Sequence, residues 1–257
     1  MFHVVDWPLL VLAITLFGLW AAAGLGAFLS KRLERPDPEV REELSIVQGA
    51  TLTLLGLIIA FTFSMALNRY DQRKNYEEQE ANAIGTEYVR ADLLPAAAGA
   101  KVRGLLLSYL EQRILFYDTR DEQELERINS RTAGLQAELW AAILPAASAQ
   151  PTQVIALAVG GMNDVLNSQG YTQAAWWNRI PEAAWIMLAA IAVCANVILG
   201  FGVGTVRRGS MLLFVVPLIV SITFFLIADI DAPRSGVIRV NPQNLQSLSE
   251  SLHAAHR

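Results

Sequence analysis

Between Thr51 and Leu94 the chain offers no signal to end a helix, and this constrains the fold more than any other feature of the sequence. The stretch opens at Gln48 as a membrane span, Gly49 to Leu67, with no ionisable side chain, and turns polar abruptly at Asn68. No proline or Gly-rich break intervenes before Asn68-Arg69-Tyr70-Asp71-Gln72-Arg73 and Glu80-Ala81-Asn82-Ala83-Ile84-Gly85-Thr86. A single rod of that length measures about 65 Å at 1.5 Å per residue, roughly twice the hydrocarbon core of a bilayer. One half then sits in lipid or a bundle, and the other projects into water.

Composition supports that division. Hydrophobic residues make up 53% of the 257, and the mean hydropathy is +0.35. Charged residues are almost absent from about 8–30, 45–67, 183–205 and 210–228, and crowded between 69 and 131. The expected architecture is an all-α integral membrane protein with four transmembrane helices. The expected segments are 1–68 with the first two spans, a helical extramembrane domain at 69–181, 182–230 with the third and fourth spans, and a tail at 231–257. No run of alternating β-branched residues signals a strand.

Several chemistries are excluded. The net charge of −4 gives no argument for nucleic acid. Cys194 is the sole cysteine, so neither an intrachain disulfide nor a multi-Cys metal site is expected. His3, His253 and His256 lie at the termini, which leaves no His-based catalytic or zinc site in the body. Gly160-Gly161 follows no strand and precedes no Lys-Ser/Thr pair, so it is not a phosphate loop. With no convergent nucleophile, base or metal group, an enzyme is not expected, nor is a cofactor.

The first span lacks a basic n-region and is too long for a signal peptide, so it is read as retained. Gly18, Ala22 and Gly26 recur every four residues along it. Close helix packing and the ordinary abundance of Ala and Gly in spans account for this equally well. Lys31 and Arg32 end the span, and Leu33 to Glu43, with Pro36 and Pro38, reads as a loop. The second span has small residues at Thr53, Gly56, Ala60 and Ser64 among Ile58, Ile59, Phe61, Phe63 and Met65. Its lack of ionisable groups argues against a proton-coupled pump, but suits a hydrophobic constriction or a plain anchor.

In the domain, helices are expected over 99–120, 122–144 and 152–167, with Pro145 and Pro151 bracketing a turn. Trp176, Trp177 and Trp185 sit where interfacial aromatics belong, at the start of the third span. Ala192, Asn196, Gly200 and Gly204 repeat every four residues there, and Asn196 suits a bond to a neighbouring helix better than to a permeant ion. Val206-Arg207-Arg208-Gly209 reads as a tight hairpin, and Pro217 as a kink in the fourth span. Asp229 and Asp231 are expected to cap or turn the exit from that span, and Val237 to Arg257 to be loose.

Four spans put the domain and both termini on one side. Short loops hold Lys31, Arg32, Arg35, Arg41, Arg207 and Arg208, against Arg69, Arg73, Lys74, Arg179, Arg234 and Arg239 near the membrane on the other side. Counting short loops alone places the domain outside the cytoplasm.

Leu54-Leu55-Gly56, Phe61-Thr62-Phe63-Ser64, Asn68 through Arg73 and Glu80 through Thr86 resemble the bestrophin-like family, a mostly bacterial group of membrane proteins distantly related to true bestrophins. Asp229-Ile230-Asp231-Ala232-Pro233 with Gly236 is similar to that family's second signature. Asn68, Tyr70, Asp71, Glu80, Asp229, Asp231, Pro233 and Gly236 are thus signature positions, and the resemblance covers essentially the whole chain. It implies a homo-oligomer in the inner (plasma) membrane, pentameric in bestrophins, whose second spans line an anion-conducting pore with a hydrophobic neck. It also implies a cytoplasmic domain. By position the neck falls to Ile58, Phe61, Thr62 or Met65. Asp71 stands where bestrophins have a bulky aromatic, and no acidic run matches a calcium clasp, so calcium gating is not expected.

The residues themselves allow a compatible picture. Arg69 and Arg73 lie one turn apart, and Asn82 and Thr86 repeat that spacing. In a ring of copies such rows offer donors to a passing anion, although anchoring at the membrane interface is the stronger reading for the two arginines. Glu80 and Asn82 are expected to form structural hydrogen bonds under neighbouring helices. The leading expectation is an oligomeric channel for small anions such as chloride. The alternative is a non-conducting scaffold or sensor whose domain binds a partner. A pore requires second spans that face an axis, whereas a scaffold allows them to be buried within their own chain.

Overall fold

The computed structural model describes residues 4–32, 37–149, 151–204 and 211–254, and among these every regular element is helical. In chain order they are α1 (Pro8–Arg32), α2 (Pro38–Arg90), α3 (Ala96–Asp118), α4 (Glu122–Ala149), α5 (Gln153–Trp177), α6 (Glu182–Gly204), α7 (Leu212–Asp231) and α8 (Gln243–Ala254). Short 3-10 turns precede α1 and follow α2. Four apolar stretches are long enough to cross a membrane. The all-α, four-span architecture is therefore the observed one. The chain forms two units, residues 1–69 with 179–239 and residues 70–178 with 240–257, and α2 contributes to both.

In the first unit α1 packs on α6 and α7, and α6 packs on α7. Backbone meets backbone at glycine. A Cβ at Gly26 would strike the main chain of Val197 and Phe201, and one at Gly200 would strike that of Ala23. Ala22, Ala23, Ala192 and Ala195 are buried beside these positions. Gly18 faces open space, so close packing explains only part of the four-residue repeat. Trp20 sets its ring edge-on to Phe214 at 5.6 Å. Asn196, expected to bond a neighbouring helix, instead donates from Nδ2 to Ala192 O of its own helix at 2.8 Å. That carbonyl one turn back is the acceptor within easiest reach of a short amide side chain. The outward side chains of α1, α6 and α7 are apolar, among them Leu9, Phe17, Phe28, Ile186 and Ile219, as lipid requires.

The second unit has an aliphatic and aromatic core. Leu106, Tyr109 and Phe116 of α3, Leu135, Leu139 and Ile143 of α4, Met162, Val165 and Trp176 of α5, and Ile84 of α2 are all buried in it. Each helical stripe supplies these at three- and four-residue steps. Three expectations are corrected here. The helix at 122–144 continues through Pro145 to Ala149, because Pro145 and Ala141 both lie on the exposed side, where a carbonyl left without its donor is open to water. The helix at 152–167 continues to Trp177; Thr152 caps its start by accepting Ile155 N–H at 3.2 Å, and no proline stops it earlier. The tail is not loose, since α8 buries Leu245 and lays Leu248 over Gly85.

α2 begins at Pro38, inside the expected loop, since proline suits a helix's first turn. Fourth-span residues remain helical on both sides of Pro217. The Val206–Gly209 hairpin, Pro36, His3 and His256 lie outside the described residues.

Candidate functional site

The extramembrane half of α2 carries two lines with inverted chemistry. Its inward line is Arg73, Glu77, Glu80, Ile84 and Glu87, continued by Ala91 in the 3-10 turn that follows, at steps of four and three, and all six are buried. A soluble helix ordinarily puts its charges outside. Here each inward charge meets a specific environment in the second unit.

Arg73 is 1% exposed and donates from Nε to Ala175 O and from Nη2 to Asn178 O, both at 3.3 Å. The sequence makes it a candidate to face an anion or anchor in headgroups. Instead its guanidinium closes the carbonyl end of α5. Glu77 accepts from Leu245 N–H at 2.9 Å and from Asn244 Nδ2 at 2.6 Å, placing a carboxylate at the start of α8.

Glu80 receives Arg113 Nε at 2.5 Å on Oε1, and Thr172 Oγ1 at 3.2 Å and Tyr117 Oη at 3.5 Å on Oε2. Arg113 also lies over the Phe116 ring, 4.3 Å from its centroid. Burial pulls the Arg113 guanidinium down, but the Glu80 carboxylate outweighs this and holds it above its usual range. Burial, then Glu80, pushes the hydroxyls of Tyr109 and Tyr117 well up. Both are therefore neutral phenols at any ordinary pH. The structural hydrogen bonding expected of Glu80 is present in this cluster. The same expectation for Asn82 is not met, because Asn82 is exposed.

Glu87 is the exception on the inward line. It is fully buried, and neither carboxyl oxygen finds a hydrogen-bond partner among the described residues. Its carboxyl and the Arg90 guanidinium fill the space that a side chain at position 161 would need, so Gly161 is the residue that admits them. Burial raises the Glu87 pKa from 4.5 to about 8, with Arg90 opposing and Asp164 assisting.

The outward line is Gln72, Asn75, Gln79, Asn82 and Thr86, all exposed. Of the candidates named from the sequence it includes Asn82 and Thr86. Arg69 is half-buried, Tyr70 is half-buried against the second unit's core, and Asn68 and Asp71 are exposed.

In the spanning half, Leu55, Thr62 and Ala66 are buried, and Thr62 returns its hydroxyl to Ile58 O at 2.8 Å. Thr62 thus faces its own chain. Leu54, Leu57 and Phe61 are exposed, Phe61 by 62%, with Ile58 and Met65 half-buried.

At the end of α7, Asp229 accepts Val237 N–H at 2.7 Å and Ile238 N–H at 2.8 Å, folding the chain back over the helix end. A Cβ on Gly236 would strike the carbonyls of Asp229 and Ala232, which explains a glycine there. Asp231 takes Ile180 N–H at 3.1 Å and Arg179 Nε at 3.2 Å, and Arg179 Nη2 reaches Asp6 Oδ1 at 2.6 Å. Pro233 is half-buried in the same turn. Both acids thus act as the exit-turn reading expected, and Asp231 also ties in the start of α6.

Sequence reasoning misses Arg113, Glu77 and Glu87, and takes Arg179 only as a cation near the membrane. Arg113 was findable, because it stands on the apolar stripe Val102, Leu106, Tyr109, Arg113, Phe116. Among the described residues no group of three His, Cys, Asp or Glu could hold a metal ion.

Four apolar helices, a buried polar network and an uncovered second span define a helical membrane protein. A Bestrophin-like domain model matches residues 12–245, and the chain belongs to that family. Its fold is that of a bacterial bestrophin homolog from Klebsiella pneumoniae: one crystal structure, of a singly substituted form, aligns with a TM-score of 0.64 at 16% identity, covering 95% of this chain and 99% of that one. A second substituted form aligns at 0.64 and 16%, covering 96% and 97%. A crystal structure described as a membrane protein aligns at 0.65 and 15%, covering 96% and 97%. No curated protein matches the chain.

Proposed function

We propose that this chain assembles as a homo-oligomer, a pentamer on the bestrophin pattern, whose second spans surround a path for small anions such as chloride. The observation that carries the reading is the bareness of the second span. Only 17% of its apolar window is buried, against 28%, 33% and 44% for the other three. A scaffold that buried its second span within its own chain would show the reverse.

Phe61, with Leu57 and Leu54 above it, presents bulky apolar side chains on the uncovered side. A ring of such groups excludes bulk water and gates by dewetting. Ile58 and Met65 flank it, and Thr62, turned inward, is not part of the neck. The domain and termini lie in the cytoplasm by the family pattern.

The reading is tested with thiol modification in a Cys194→Ser background. Modifying Phe61→Cys with a water-soluble, bulky methanethiosulfonate should block chloride flux through liposomes. The same treatment of Phe28→Cys, exposed on α1, should leave flux unchanged. A protein that carries no flux before modification, yet is folded and oligomeric, supports the non-conducting scaffold.

A further inference from the structure

Counting along α2 from the spanning half, the exposed or half-exposed positions Leu54, Ile58, Phe61 and Met65 alternate steps of four and three. The same count continues in sequence through Asn68 to Gln72, Asn75, Gln79, Asn82 and Thr86, a strict 3.5-residue period. From Asn68 onward this line consists only of amides and one hydroxyl. All six side chains are exposed, and none makes a hydrogen bond to another described residue.

A solvated helix face would not look like this. Exposed positions are ordinarily filled with Lys, Glu, Arg and Asp. α2 has such residues, but uses them elsewhere: Arg73, Glu77, Glu80 and Glu87 face inward, and Asp71, Lys74 and Glu78 flank the line. Its neutrality is therefore local to one face. A 3.5-residue period is also the spacing by which a helix keeps one line toward identical neighbours.

We propose that Gln72, Asn75, Gln79 and Asn82 line the extramembrane part of the conduction path and leave it without a fixed charge, so that small monovalent ions of either sign pass with little discrimination. This rests on the channel reading above and widens it, chloride being then one of the ions that pass rather than the one selected. The chemistry follows from the amide group, which carries two N–H donors for an anion and a carbonyl acceptor for a cation on one side chain. Rings of charged side chains are what ordinarily select the sign of a permeant ion, and this line contains none. Of the two arginines that the sequence offers as ion contacts, Arg73 is buried and donates to two backbone carbonyls, and Arg69 is half-buried.

The test is the reversal potential of purified protein in a planar bilayer under a potassium chloride gradient. The parent should show a chloride-to-potassium permeability ratio within about threefold of unity. Gln79→Lys should raise that ratio about fivefold or more and Gln79→Glu lower it comparably, because one substitution places a charge in every copy around the path. Glu111→Lys, on the exposed side of α3, should leave it unchanged. Size-exclusion chromatography confirms that each variant keeps its assembly. A conducting parent that is strongly selective for one sign overturns the proposal, as does a conducting Gln79→Lys with the parent's ratio. A parent that carries no current overturns the channel reading itself, and this proposal with it.

Discussion

Glu80 and Arg113 form an ion pair in which both side chains are fully buried, with Arg113 Nε 2.5 Å from Glu80 Oε1. Water cannot compensate either charge if its partner is lost. Arg113→Met should therefore destabilise the fold by about 3–5 kcal/mol. Replacing both, as Glu80→Leu with Arg113→Met, should recover part of that loss, because no uncompensated charge remains. Thermal unfolding of the two variants in detergent checks this, and additive losses in the double variant would contradict it.

Glu87 makes stability depend on pH with a definite sign. Its folded-state pKa of about 8 lies above the unfolded value of 4.5, so between these the folded state holds a proton that the unfolded state has lost. Stability from this group is full below pH 4.5, falls as the pH rises toward 8, and is level beyond. Glu87→Gln removes the dependence and at about pH 8 should be more stable than the parent by about 1–3 kcal/mol. Melting curves from about pH 5 to 9 decide it. A parent that melts higher at the alkaline end than at the acid end, while the Glu87→Gln variant does the reverse, would contradict the assignment.

Glycines along the spans should differ sharply in their tolerance. Gly200→Ala forces a methyl against the backbone of Ala23, and neither helix can yield locally. A loss of about 1–3 kcal/mol is expected, the range for overpacking. Gly18→Ala meets nothing within 4 Å and should be neutral or slightly stabilising. Equal effects at the two sites, measured by melting in detergent, would mean that α1 and α6 do not touch as described.

Asp229→Asn keeps one acceptor oxygen but loses the charge that binds the Val237 and Ile238 amides at 2.7 and 2.8 Å. The turn should loosen at a cost of about 1–3 kcal/mol. Faster amide exchange at Val237 and Ile238 would show it, with exchange in α3 unchanged.

Much of the fold was legible because lipid and periodicity both act locally. Spans announce themselves by the absence of charge, and the long α2 by the absence of any stop. The tail was not legible. Gln243–Ala254 has little apolar content of its own and is held by Glu77, far upstream in the chain. Pro145 misled for a related reason, since whether a proline ends a helix depends on which side of the helix faces water. Arg69 and Arg73 share a helical face by spacing, yet Arg73 is buried and Arg69 half-buried. Spacing gives the angle between two residues but not what covers them, so the charged line of α2 could not be recognised as its inside from the sequence alone.

On the proposed channel reading, ions cross along the uncovered side of the second span, past Phe61 and Met65. Chloride flux from liposomes holding the purified oligomer, compared between parent, Phe61→Ala and Met65→Ala, tests it most directly. Truncating either side chain widens an apolar constriction and should raise flux, more at Phe61, which is 62% exposed, than at the half-buried Met65. No flux in any of the three, from protein that is folded and oligomeric, would contradict it.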